Sequence, residues 1–295
     1  MIASVSVLVV GAAGAAATTG AAAATARPGP RGGVHAVSAA AQRASRTFWT
    51  PARMAAATPM QAADATAPPT PPPGIPSPTH FNGVPTVGAL FFTTGTQQHF
   101  CTASVVDSPT ANLVLTAAHC VYGSSYATNI EYVPQYHYGQ QPYGGWAVTS
   151  ITVAAGWRNS HDPNLDFAFL TVAPPPGTHR PVQFVTGGLR LGINVGYAHR
   201  IEVIGYNNGE DAPIKCASRS FEFEPGQMEF YCNDFQDGTS GGPWILGFGP
   251  HRGSGTVFGV IGGYEQGGDY PWASYSVYFS QPTLSLYWQA EAQQF

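Results

Sequence analysis

Three short stretches hold residue types that could form a nucleophile, a base to activate it and a carboxylate to orient the base. They are Thr116-Ala117-Ala118-His119-Cys120, Asp166-Phe167-Ala168-Phe169-Leu170 and Gly238-Thr239-Ser240-Gly241-Gly242-Pro243, in that order along the chain. A serine hydroxyl holds its proton too tightly at neutral pH to attack a carbonyl carbon unaided. A nearby imidazole can take that proton, and a carboxylate can hold the ring in the tautomer that leaves one nitrogen able to do so. Acyl transfer is the chemistry that these residues could perform together.

Each also has a plainer reading. His119 is one of nine histidines, but Cys120 beside it and Cys101 upstream could form a bridge that pins the turn bearing the imidazole. Asp166 heads an apolar strand, where an unpaired buried charge is costly and a bond from the Nδ1 proton of His119 would relieve it. Asp162, nearby, reads as an ordinary turn carboxylate. The glycines around Ser240 allow backbone angles that expose the hydroxyl and turn amide N–H groups inward. Gly238-x-Ser240-x-Gly242 also satisfies the Gly-x-Ser-x-Gly elbow of the α/β-hydrolases, which order their residues Ser, acid, His. His251 is the only histidine after Ser240 and no acid lies between them, so the elbow reading fails on order.

The elements that must position these residues are short strands. Val87–Phe92, Leu113–Leu115, Ile151–Val153, Phe167–Leu170, Ile201–Ile204, Phe221–Phe223, Val257–Ile261 and Ser276–Phe279 are β-branched or aromatic runs separated by Gly, Pro, Asn and Asp clusters. That texture predicts an all-β barrel or sandwich, with a break near Ala173–Gly177. Charged residues make up 9% of the chain, against about 25% in an ordinary globular protein. With 35 glycines and 26 prolines, this fits a turn-rich β protein. The net charge of -4 and the lack of any Lys or Arg run exclude a nucleic-acid or lipid-headgroup surface. Residues 280–295 read as a helix, with Pro282 near its start and Leu284, Tyr287, Trp288 and Ala290 on one face.

Residues 1–26 read as an export signal: Ile2 to Ala26 carry no charged side chain, and Ala24-Thr25-Ala26 has the small-residue spacing of a cleavage site. A membrane anchor is the rival reading, disfavoured by the weakly hydrophobic Ala, Gly and Thr content. Residues 27–80 are rich in Ala, Pro, Ser and Thr and are expected to be a disordered pro-segment or linker. Export into an oxidising compartment makes the four cysteines expected partners. Three pairings are possible; Cys101–Cys120 with Cys216–Cys232 is local, leaves none free, and would contribute about 3 kcal/mol per bridge. No metal-binding spacing occurs.

The three motifs, in this order, resemble those of the chymotrypsin/trypsin-like serine endopeptidases, and more narrowly the secreted bacterial branch that includes the glutamyl endopeptidases. The likeness covers residues 84 to 295. It implies a domain over 81–295 built of two six-stranded antiparallel β-barrels, about 84–175 and 176–279, with the site in the cleft between them and a short C-terminal helix over 280–295. It implies hydrolysis of peptide bonds through an acyl-enzyme, with Ser240 attacking, His119 shuttling the proton and Asp166 orienting the ring. The N–H groups of Gly238 and Ser240 would form the oxyanion hole. No metal or organic cofactor is called for. Expected partners are protein or peptide substrates, cut by a secreted, extracellular monomer that binds neither nucleic acid nor, once the signal is removed, a membrane. A non-catalytic peptide-binding or partner-binding protein on the same scaffold is the alternative.

Three places bear on activation and specificity. Thr239 stands where trypsin-type zymogens carry the Asp that receives the new amino terminus, so activation through that ion pair is not expected. Asp234, six residues before Ser240, matches the acid that selects Arg or Lys, but reads equally as a solvated loop carboxylate. Val257–Tyr264 lacks the histidine that glutamyl specificity usually needs, and Tyr264 would intrude on the substrate pocket if it replaces a family glycine.

Overall fold

The computed structural model describes residues 32–60, 69–208 and 210–292; the expected export signal, residues 1–26, lies outside them. Sixteen strands and five α-helices follow in chain order. An amino-terminal arm holds β1 (Gly32–Ala36), α1 (Ala39–Phe48), α2 (Pro51–Ala56) and the two-residue β2 (Thr58–Pro59). β3 (Thr79–His80) leads to β4 (Val87–Thr94), β5 (Gln97–Val106), β6 (Leu113–Thr116), β7 (Thr128–Pro134), β8 (Trp146–Ala154), α3 (Ala155–Ser160) and β9 (Ala168–Ala173). After α4 (Val182–Thr186) come β10 (Arg190–Leu191), β11 (His199–Tyr206), β12 (Pro213–Glu224), β13 (Gln227–Tyr231), β14 (Pro243–Gly249), β15 (Ser254–Val260) and β16 (Ala273–Val277). α5 (Gln281–Glu291) is last.

Strands β4-β5-β6-β9-β8-β7 pair in a ring, because β9 pairs with both β6 and β8. Closure buries Leu90, Phe92, Leu115, Trp146 and Phe169 inside this barrel. The second sheet runs β15-β14-β11-β12-β13-β16. It curls until its ends meet, where the Val260 amide donates to the Ser276 hydroxyl at 2.9 Å and the Gly262 amide to the Tyr275 carbonyl at 3.1 Å. Phe230 and Trp244 meet edge to face at 4.9 Å in its core. The expected all-β architecture of two barrel-like halves and a short terminal helix is what the chain adopts.

α5 starts at the capping box of Ser280 and Thr283, with Pro282 in its first turn. It returns to the first barrel, where the Tyr287 hydroxyl donates to the Asp107 carbonyl at 3.0 Å and Glu291 accepts from the Thr110 amide at 3.1 Å. Its buried face is Leu286, Tyr287 and Ala290, with Trp288 exposed. The face expected from spacing therefore sits one residue out of register at that tryptophan.

The expectation of disorder over 27–80 fails for residues 32–60. β1 adds an antiparallel strand to β8, from Gly32 opposite Ala154 to Ala36 opposite Ser150. α1 is capped by Ser38, whose hydroxyl accepts from the Ala41 amide at 3.2 Å. Ser45 is buried against β7, donating to the Ile130 carbonyl at 3.1 Å, and Arg46 reaches the Gly145 and Ala173 carbonyls. Trp49 and Met54 are buried in an aromatic cluster with Phe91, Phe100, Tyr136 and Tyr206. Burying two such side chains stabilises the docked arm by roughly 2 to 3 kcal/mol each. Few large apolar residues suffice when a preformed barrel supplies the other half of the contact.

Glu131, on β7 beneath α1, is the buried carboxylate of this contact, and the Ser45 hydroxyl donates to it at 3.4 Å. Burial pushes its pKa up to about 7, with Arg46 and Ser45 pulling the other way. The folded protein therefore holds a proton that the unfolded chain has released, so stability falls as pH rises from the ordinary carboxylate range to about 7 and is flat above it. Glu131→Gln should leave the unfolding midpoint unchanged at pH 4 and raise it at pH 8, by at most about 3 kcal/mol in stability. Thermal melts at the two pH values check this; an equal change at both would refute it.

Candidate active site

β6 ends at Thr116, whose hydroxyl donates to the Thr102 carbonyl of β5 at 2.8 Å. The chain then turns through Ala117 and Ala118, both fully buried, with the Val121 and Tyr122 amides closing onto the Ala118 carbonyl. This turn presents His119, and the Cys101–Cys120 disulfide ties it to β5. The second bridge, Cys216–Cys232, links β12 to the end of β13, and no free cysteine remains among the described residues. The sulfurs of Cys101 and Cys120 lie near the His119 ring as a potential metal-ligand cluster. As a disulfide they offer no thiolate, so this donor set does not fit a metal.

Asp166 closes a 3-10 turn over Pro163–Leu165, just before β9. Asp162 opens that turn, accepting from the Asn164 amide at 3.0 Å, a turn carboxylate as its sequence reading had it. Asp166 is wholly buried, and three donors converge on it. The His119 amide reaches Oδ1 at 2.9 Å, while His119 Nδ1 at 2.8 Å and the Gly263 amide at 2.9 Å reach Oδ2. An ionised carboxylate only accepts, so Nδ1 carries the ring's proton and Nε2 is left as an acceptor. Trp157 packs 6.5 Å from the His119 ring, ring centre to ring centre.

The loop carrying Ser240 is clamped from both barrels. Its Gln236 amide donates to Asn207 Oδ1 at 2.8 Å, and the Thr239 hydroxyl to the Gln236 carbonyl at 2.7 Å. Thr239 thus caps its own loop. From β5, the Thr102 amide donates to the Ser240 carbonyl at 2.8 Å and the Thr102 hydroxyl to the Gly238 carbonyl at 3.1 Å. The same hydroxyl accepts from the Tyr206 amide at 2.8 Å. Nothing in the sequence around Thr102 marked this role.

Two glycines are obligatory. Gly241 has φ +78°, and a Cβ there would stand 2.2 Å from the Thr102 carbonyl oxygen. Gly238 has φ +92°, and a Cβ there would stand 2.4 Å from the Phe100 ring. The amides alternate in their use. Those of Thr239, Gly241 and Gly242 donate to Gln236, Ile261 and Thr239 carbonyls, whereas those of Gly238 and Ser240 donate to no described residue.

The structure joins His119 directly to Asp166. It sets Ser240 on the neighbouring strand edge, where no hydrogen bond connects its hydroxyl to the ring among the described residues. Ser240 is 8% exposed and His119 5%. Asp234 is exposed, has φ +61° and pairs with Gln236, so it is not the buried carboxylate of a cation-selecting pocket. Tyr264 is half-buried in a ring cluster with Phe223 at 4.9 Å and Tyr275 at 5.0 Å. Its amide donates to Gln227 Oε1, one residue past the amide that holds Asp166.

A sequence profile described as Trypsin matches residues 76–279. A comparison with curated protein sequences finds no match. Among solved structures, the protease Anisep from Arthrobacter nicotinovorans is 26% identical, with a TM-score of 0.65 over 72% of this chain and 98% of its own. The thermostable serine protease AL20 from an extremophilic microorganism is likewise 26% identical, with a TM-score of 0.63 over the same shares. A Glu endopeptidase shares the fold at 18% identity and a TM-score of 0.56, covering 75% of this chain and 99% of its own. The profile spans most of the chain and the fold agrees with it: this protein belongs to the trypsin family of serine proteases.

Proposed function

We propose that this protease is an exported serine endopeptidase in which Ser240, His119 and Asp166 act as a catalytic triad. One observation carries the reading: a His119–Asp166 couple with Nε2 left as acceptor is tethered through Cys101 of β5, next to the Thr102 that holds a serine loop whose Gly238 and Ser240 amides donate to no described residue. The Ser240 oxygen bonds to the substrate carbonyl carbon as its proton passes to Nε2. The carbonyl oxygen becomes an oxyanion facing the amides of Gly238 and Ser240. Breaking the C–N bond then returns that proton to the leaving amine, and water repeats the sequence on the acyl-enzyme. Two disulfides suit export, and among the described residues no helix is long and apolar enough to cross a membrane. Asp234 is given no part in specificity, and Thr239 no part in a terminal ion pair.

A fluorophosphonate should label Ser240 stoichiometrically and leave Ser240→Ala unmodified; mass spectrometry of the adduct decides, and an unlabelled, folded protein would exclude the mechanism. Asp166→Asn should lower kcat on the order of ten-thousand-fold, because the amide cannot hold the ring in the required tautomer. Thr102→Val removes the hydroxyl that holds the Gly238 carbonyl. It should cut kcat about tenfold, the worth of one hydrogen bond, at unchanged KM, with Thr102→Ser restoring it. A rise in KM at constant kcat would show that Thr102 does not position the loop for the chemical step.

A further inference from the structure

On the edge of β5 turned away from β4, a single row of main-chain groups runs past Ser240. Ser104 to Val106 pair with β6. Next, the Thr102 amide donates to the Ser240 carbonyl at 2.8 Å. The following rung is Phe100, whose carbonyl accepts from the Met60 amide at 3.1 Å. The rung after that is Gln98, whose carbonyl accepts from the Thr58 hydroxyl at 3.2 Å. Thr58 and Pro59 lie parallel to His99 and Phe100 throughout. Rungs on one edge are two residues apart, about 7 Å. The arm therefore fills the position immediately beyond the one that holds the nucleophile.

A strand edge binds an extended peptide through its unpaired main-chain groups. A polypeptide whose scissile carbonyl sits at Ser240 must send one flank along Phe100, and Met60 already holds that carbonyl. The arm also grips the side chain of Phe100: Trp49 and Met54 share its cluster, while the ring packs where a Cβ of Gly238 would lie. The family profile begins at residue 76, after the arm, and the solved proteases are covered over 98% of their length by 72% of this chain.

We propose that Thr58–Met60 is an autoinhibitory strand, lying in the full chain where a polypeptide substrate must pair. The proposal rests on the peptidase reading above. Two full-chain variants test it. Met60→Pro removes the donor to Phe100, and Trp49→Ala loosens the arm from the barrel. Each is assayed for cleavage of an unfolded polypeptide and for the rate of Ser240 labelling by a small fluorophosphonate, which needs no strand edge. Polypeptide kcat/KM should rise on the order of tenfold, what one hydrogen bond is worth, at an unchanged labelling rate. Cleavage equal to or below the parent's in both variants, with labelling intact, would overturn the proposal and leave the peptidase reading standing. Absence of labelling in every chain, the parent included, would bring down both.

Discussion

A carboxylate with no access to water must find donors inside the protein, and the arrangement of the whole site follows from how Asp166 finds them. Two of its three come from His119, through the amide and through Nδ1. The third is the Gly263 amide, on the chain that follows β15 of the second sheet. The charge is thus satisfied only when both halves are in place, since removing either side would leave a buried anion underpaired at a cost of several kcal/mol. The interaction that docks the barrels is the same one that sets the imidazole's tautomer. Site geometry and domain packing are, at this residue, one constraint.

β5 supplies the second frame, and the two-residue period of a strand explains how one segment serves so many contacts. Cys101 points one way and fastens the His119 turn through its disulfide. Phe100 and Thr102 point the other way, toward Tyr206 and the Ser240 loop. Histidine and serine, carried by different barrels, are therefore held from adjacent residues of a single strand. The glycines at 238 and 241 answer the same closeness from the other side: the loop lies so near β5 that a Cβ at either place would strike it.

Local patterns made much of this legible. The strands, the separation into two halves and the disulfide pairing rest on patterns close in sequence, and the glycines around Ser240 are marked by the backbone angles their loop adopts. The His119–Asp166 couple spans 47 residues, yet both ends sit in motifs specific enough to name. Thr102 had no such mark, because its partners Tyr206 and Gly238 lie 104 and 136 residues away. At Asp234 two readings stood even, because counting residues back from Ser240 fixes distance along the chain but not depth; the residue is exposed, with φ +61°. Trp288 is a milder case: helical spacing located the helix but placed this side chain on the buried face.

The arm was hardest to read, for a thermodynamic reason. Mean composition measures whether a segment can build its own core, and residues 32–60 cannot. What matters instead is whether a few anchors meet a surface that is already folded. Trp49 and Met54 enter an aromatic cluster, Ser45 sits over β7, and β1 borrows the edge of β8. The barrel bears most of the ordering entropy, so these contacts can hold a segment that would be unstructured alone. The dependence runs in one direction only. The ring β4-β5-β6-β9-β8-β7 closes without the arm, while the arm's strands β1 and β2 pair with β8 and β5 of the ring. Detaching it therefore costs only its own contacts, a small part of what unfolding the barrel would cost, and an element bound on those terms can leave while the site behind it stays assembled.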